Sequence, residues 1–179
     1  MNRQEARELL ASMTKSESLL RHMRTVELVM EAYANKLGED QEKWAIAGLL
    51  HDADYEVYPE QHPNIIVEKI NALGETEIAH AISAHYTYWN VPYETLLDKA
   101  LLASDEITGF IVACSQVRPD GIAGLEVKSV VKKLKDKGFA AKVDRNEVYK
   151  GAELLGVDLQ EHIAFIIEVL RKNKEELNI

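Results

Sequence analysis

The stretch Gln41-Glu42-Lys43-Trp44-Ala45-Ile46-Ala47-Gly48-Leu49-Leu50-His51-Asp52-Ala53-Asp54 decides how the rest of the chain is read. Trp44, Ala47, Gly48 and Leu50 form an apolar body with helical spacing, which predicts a helix over residues 41–52. The apolar run stops abruptly at His51, and Asp52 and Asp54 stand where core residues would otherwise continue. Adjacent side chains diverge on a regular helix, but where a helix ends both can converge on one ion. His51 and Asp52 are therefore the first candidates for a metal site.

Upstream, Thr14 with Glu17 three residues later reads as a capping box that opens a helix ending at Gly38. Leu19, Met23, Val26, Met30, Tyr33 and Leu37 form its expected buried stripe. His22 lies three residues after Leu19 and four before Val26, so it faces inward with that stripe. Taken alone, such a histidine is more often a hydrogen-bonded core residue than a ligand. Downstream, Asp105 falls four residues after Leu101 and seven before Val112 on an otherwise apolar helix face. A lone buried carboxylate is costly, so it needs a partner, a backbone to cap or a metal. With His51 and Asp52, these residues make two imidazoles and two carboxylates from three helices. That donor set suits a divalent cation such as Fe, Mn, Zn, Ni or Mg.

The remaining chain reads as helix throughout. A short helix comes first, Pro63 opens another that runs to Leu73 and is closed by Gly74, and two more are expected over 76–88 and 93–114. Residues 115–124 form the longest loop, followed by a basic stretch containing Lys128, Lys132, Lys133, Lys135 and Lys137. Asp158, with Glu161 three residues on, opens the last helix, whose exposed apolar residues would suit a homo-oligomer. No run of alternating β-branched residues is long enough for a sheet. The expectation is an all-α, single-domain helical bundle over 1–179, with the metal-site core in about 14–114 and a basic, helical extension in 125–179.

Composition narrows the partners. Twenty-one Lys and Arg stand against 30 Asp and Glu, a formal charge of −9, which disfavours a long nucleic acid. A small phosphorylated molecule remains compatible, because a bound cation reverses the local field in a cleft. Cys114 is the only cysteine, which excludes a disulfide within the chain and a cysteine-rich zinc site. No stretch approaches a membrane span and the amino-terminal residues lack the pattern of a signal peptide, so a cytoplasmic protein without membrane partners is expected.

Arg21-His22-Met23, Gly48-Leu49-Leu50-His51-Asp52 and Leu102-Ala103-Ser104-Asp105 resemble the H…HD…D signature of the HD superfamily of phosphohydrolases in order, spacing and helical setting. The likeness spans most of the first two-thirds of the chain. The whole layout is also similar to short HD proteins that read LLHD-x-DYE and HP and carry a basic region before a final helix. Here those motifs are His51-Asp52-Ala53-Asp54-Tyr55-Glu56 and His62-Pro63. Ala53-Asp54 stands where the HDIG variant has Ile-Gly, and the Gly-Tyr-Pro motif of the cyclic-dinucleotide phosphodiesterases is absent. The resemblance implies an HD-type bundle, a cation held by His22, His51, Asp52 and Asp105, and cleavage of phosphate esters, commonly in nucleotides.

His85 follows Ile78 by seven residues and Ile82 by three, so it faces the core, and His62 begins the helix after Asp54. By the resemblance, histidines in these places hold a second ion in two-metal members and contact phosphate in one-metal members. One or two ions are therefore expected. Asp54, His62 and His85 are the catalytic candidates, with Glu56 also considered as proton donor to the leaving oxygen. Arg118, Lys128 and Lys132 are candidates for binding the substrate phosphate, although a lysine run is more often a solvated helix face. Tyr86, Tyr88 and Trp89 could form a stacking wall for a base, and His80 and His162 are expected to be structural or exposed. Two alternatives to a phosphohydrolase are an HD-fold di-iron oxygenase and a catalytically silent nucleotide-binding module.

Overall fold

A computed structural model describes all 179 residues, Met1–Ile179. It contains α1 (Arg3–Met13), α2 (Glu17–Leu37), α3 (Gln41–Leu50), α4 (Asn64–Ala72), α5 (Thr76–His85), a 3₁₀ turn (Thr87–Trp89), α6 (Leu96–Gln116), α7 (Val127–Leu134), α8 (Arg145–Leu155), α9 (Leu159–Lys172) and α10 (Lys174–Leu177). There is no strand, so the all-α expectation holds. The chain comprises two compact units, Met1–Leu101 and Leu102–Ile179, divided inside α6. A continuous helical pattern through α6 carries no mark of that division.

In the first unit the site depends on how closely α2 and α3 approach. A Cβ on Gly48 would lie 2.9 Å from the Val26 carbonyl oxygen and 3.0 Å from the Glu27 backbone, so only glycine permits this contact. The fit brings the end of α3, at His51, alongside the His22 turn of α2. Met23, Val26, Met30 and Tyr33 from α2 and Ile46 and Leu50 from α3 are buried, with Ile66, Ile70, Ile78 and Ile82 from α4 and α5. Leu37 departs from the expected stripe: it is 42% exposed, because α2 ends there at Gly38, whose φ of 76° turns the chain away.

The start of α2 is also not built as expected. Thr14 terminates α1 and donates its hydroxyl to the Ala53 carbonyl at 2.8 Å, while Ser16 precedes α2 without a side-chain cap. Glu56 supplies the acceptor instead, taking the N–H groups of Lys15 at 2.8 Å and Ser16 at 2.9 Å. The segment following His51-Asp52 is thus tied twice to the α1–α2 junction. Glu27 is wholly buried and paired with Arg24 at 2.7 Å, Arg7 at 3.5 Å and Arg3 at 3.7 Å, which fastens α1 to α2. No helix of the chain is long and apolar enough to cross a membrane.

The helix expected over 76–88 stops at His85 and gives way to the 3₁₀ turn. The one expected from 93 begins at Leu96, because the Asp98 carboxylate accepts the N–H groups of Glu94 at 2.9 Å and Thr95 at 2.8 Å. In the second unit, Asp158 caps α9 as read from sequence, accepting from Gln160 and Glu161. A Cβ on Gly151 of α8 would lie 2.6 Å from Ala103 Cα, and His162 Nε2 donates to the Ala103 carbonyl at 2.7 Å. The Ile163, Ile166 and Leu170 stripe of α9 is buried, with Ile167 beside it.

Candidate metal centre

His51 closes α3 and is completely buried. Its Nδ1 donates to the Gly48 carbonyl at 2.8 Å, which in the neutral ring makes Nε2 the accepting nitrogen. That Nε2 lies 3.2 Å from His22 Nε2 and 3.7 Å from Asp52 Oδ2, and His22 Nε2 lies 3.9 Å from the same oxygen. With metal–donor bonds near 2.1 Å, two ligands of one tetrahedral or octahedral ion stand roughly 3.0–3.4 Å apart. His22, His51 and Asp52 are therefore close to the spacing of donors around one ion.

The other carboxylate oxygen faces a second pair of rings. Asp52 Oδ1 lies 3.3 Å from His62 Nε2 and 3.5 Å from His85 Nε2. His85 Nδ1 donates to the Ile82 carbonyl one helical turn back, and His62 Nδ1 donates to Asp54 Oδ1 at 2.7 Å. His51, His62 and His85 are all held through Nδ1, and all turn Nε2 towards Asp52. A lone pair pointing at a carboxylate oxygen is repelled by it unless a positive charge lies between them. The donor chemistry thus fits divalent cations. Within each of two groups, His22 with His51 and Asp52, and Asp52 with His62 and His85, the ligand atoms lie within 4.8 Å of one another.

Asp54 is wholly buried, with one oxygen on His62 and the other accepting the Ile66 N–H at 2.9 Å in the first turn of α4. Glu56 faces the α2 entrance, and those two backbone N–H groups hold its carboxyl below the usual value. Tyr55 and Tyr86 stand edge-on to the His62 ring, at 5.5 and 5.4 Å between centroids. Tyr88 and Trp89 extend from Tyr86 at 5.2 and 6.0 Å and are exposed. Tyr55 belongs to the motif that follows His51-Asp52, but its place beside His62 carries no periodic signal in the sequence. His80 lies apart from these groups, its Nδ1 3.2 Å from Asp98.

In the second unit, Asp105 lies on α6 with its side chain partly exposed. Burial, reinforced by the Asp105 charge, pushes the adjacent Glu106 up to about 8, while Glu106 accepts the Asp144 N–H at 3.0 Å. Arg118 grips Asp120 with two nitrogens, at 3.0 and 3.1 Å, beside a polar cavity lined also by Lys174 and Ile179. Lys128 pairs with Glu126 at 2.8 Å, and Lys132 is exposed on α7, as on an ordinary solvated helix face.

A family model described as HD domain matches residues 19–109, the span from the first turns of α2 into α6. No curated protein and no solved structure matches the chain.

Proposed function

Because the chain belongs to the HD domain family, we propose that it is a metal-dependent phosphohydrolase cleaving a phosphate ester of a nucleotide or another small phosphorylated molecule. The observation that carries this reading is Asp52, whose two oxygens face two pairs of histidines with their Nε2 atoms turned inward. His22, His51 and Asp52, with Asp105 as the fourth ligand by motif order, would hold one divalent cation. Asp52, His62 and His85 would hold a second. Such cations supply an activated water at neutral pH and neutralise charge on the phosphate.

The protein's own part is positioning. The Gly48 and Ile82 carbonyls fix the His51 and His85 rings, so that each presents its lone pair without a rotational search. With a single ion bound, His62 and His85 would be free of the second-ion role and, when protonated on Nε2, would be candidates to meet a phosphate oxygen or to pass a proton to the leaving oxygen. The exposed rings of Tyr55, Tyr88 and Trp89 extend outward from His62 and support a substrate with a planar base, which would stack on them. Arg118, Lys128 and Lys132 are proposed to meet phosphate charge, although each is now either paired or exposed to solvent.

The second histidine pair also favours a di-iron oxygenase as the alternative reading. A screen of nucleoside monophosphates, cyclic nucleotides and a chromogenic phosphomonoester, with Mn, Mg, Ni, Zn or Fe, separates the two. Metal-dependent phosphate release or diester opening that is lost in His51→Ala supports the hydrolase. Dioxygen uptake by iron-loaded protein without phosphate release supports the oxygenase, and stoichiometric nucleotide binding without product supports a silent binding module.

A further inference from the structure

We propose that Asp54 is a positioning residue that sets the tautomer of His62 and thereby makes His62 a ligand for the second cation. This rests on the reading of Asp52, His62 and His85 as a cation site. Asp54 is fully buried and has two donors, one per oxygen: His62 Nδ1 at 2.7 Å and the Ile66 backbone N–H at 2.9 Å. The Ile66 N–H belongs to the first turn of α4, where a carboxylate is favoured by the unpaired amides and the helix dipole. A carboxylate accepts on both oxygens and donates on neither. In the neutral ring the proton of His62 is therefore held on Nδ1, and the Nε2 lone pair is left facing Asp52 Oδ1, 3.3 Å away.

The other rings show why this arrangement is separate work. His51 and His85 obtain the same tautomer from backbone carbonyls within their own helical segments, those of Gly48 and Ile82. His62 lies outside any helix, preceding α4, and its Nδ1 pairs with a side chain instead of a backbone carbonyl. Asp54, eight residues upstream, takes that place. It reaches no substrate surface, so its influence passes through His62.

Asp54→Asn separates shape from charge. The backbone N–H of Ile66 requires the amide oxygen, which turns the amide NH₂ towards His62 Nδ1. That nitrogen must then accept, the proton moves to Nε2, and Nε2 can donate to Asp52 but can no longer bind a cation. Two readouts follow, neither of which is turnover. The first is long-range ¹H–¹⁵N correlation of the metal-free protein at alkaline pH, where an imidazole is neutral. The second is Mn(II) stoichiometry by titration calorimetry.

The wild type is expected to show His62 protonated on Nδ1 and to take up two ions per chain, and Asp54→Asn to show the proton on Nε2 and take up one. Asp54→Glu, which keeps a carboxylate, is expected to restore the Nδ1–H form and part of the second-ion affinity, and it carries the test if Asp54→Asn does not fold. An Nε2–H tautomer in the wild type overturns the proposal, as does equal two-ion binding in wild type and Asp54→Asn. A wild type that takes up a single ion, unchanged in His62→Ala, refutes the second-cation reading and with it the ligand role given to His62, whatever the tautomer; two ions bound with His62 protonated on Nε2 refutes the role of Asp54 alone.

Discussion

Asp52 Oδ1 lies 3.3 Å from Nε2 of His62, a ring whose Nδ1 proton is already committed to Asp54. An oxygen bearing negative charge and a nitrogen lone pair are not held that close by mutual attraction. The same juxtaposition recurs with His85 at 3.5 Å and with His51 at 3.7 Å, the latter to the other oxygen. Asp52 is thus the residue on which both histidine groups converge, and a cation held between them would offset the repulsion between the neutral rings and the carboxylate.

The close packing of α2 on α3 is what places His22 beside His51. Gly48→Ala puts a methyl group 2.9–3.0 Å from backbone atoms of Val26 and Glu27, which cannot rotate away. The helices must separate, at a cost of about 1–3 kcal/mol. Thermal unfolding is expected to shift downward and Mn(II) affinity to weaken together. Unchanged affinity in a destabilised variant would show that the α2–α3 spacing does not set the site.

Glu56 links the segment after Asp52 to the entrance of α2. Its carboxyl is lowered by the N–H groups of Ser16 and Lys15, so its contribution to stability is present above the ordinary carboxyl value of 4.5 and is lost as pH falls through the lower folded-state value. Glu56→Ala is expected to melt below the wild type at neutral pH, with the gap closing in acid below 4.5. A gap that is constant with pH would contradict this account.

Cys114 has no exposed surface, and burial pushes its thiol from 9.0 up to about 11. The native protein is therefore expected to resist a disulfide reagent near pH 8, where only thiolate reacts, and to consume one equivalent on denaturation. The unfolded thiol ionises first, so this group lowers stability as pH rises from about 9 towards 11. Cys114→Ser should lack that alkaline component. Rapid labelling of the native chain would show that the thiol is accessible.

Much of this was legible because helix periodicity and ligand chemistry are both local. His51-Asp52 at the end of an apolar run, and His22 on the inner face of α2, could be placed from spacing alone, as could the Gly38 stop and the Asp158 cap. Contacts made across the chain were not legible. Thr14 looked like a cap because Glu17 follows it, yet its hydroxyl goes to Ala53, 39 residues away, while Glu56 reaches back to Ser16. Asp54 stood as one of several proton-donor candidates on residue type, and nothing in a sequence shows that one of its oxygens will meet His62 and the other Ile66.

The central claim is that His22, His51 and Asp52 hold a divalent cation. The most direct test is elemental analysis of protein purified without chelator, comparing wild type with the folded His51→Ala/Asp52→Ala double variant. The account expects at least one divalent metal ion per wild-type chain and a loss of affinity of more than about 100-fold in the variant, beyond the effect of removing a supporting contact. A wild type that carries no metal and binds none on titration, or a variant that retains the same metal content, would contradict it.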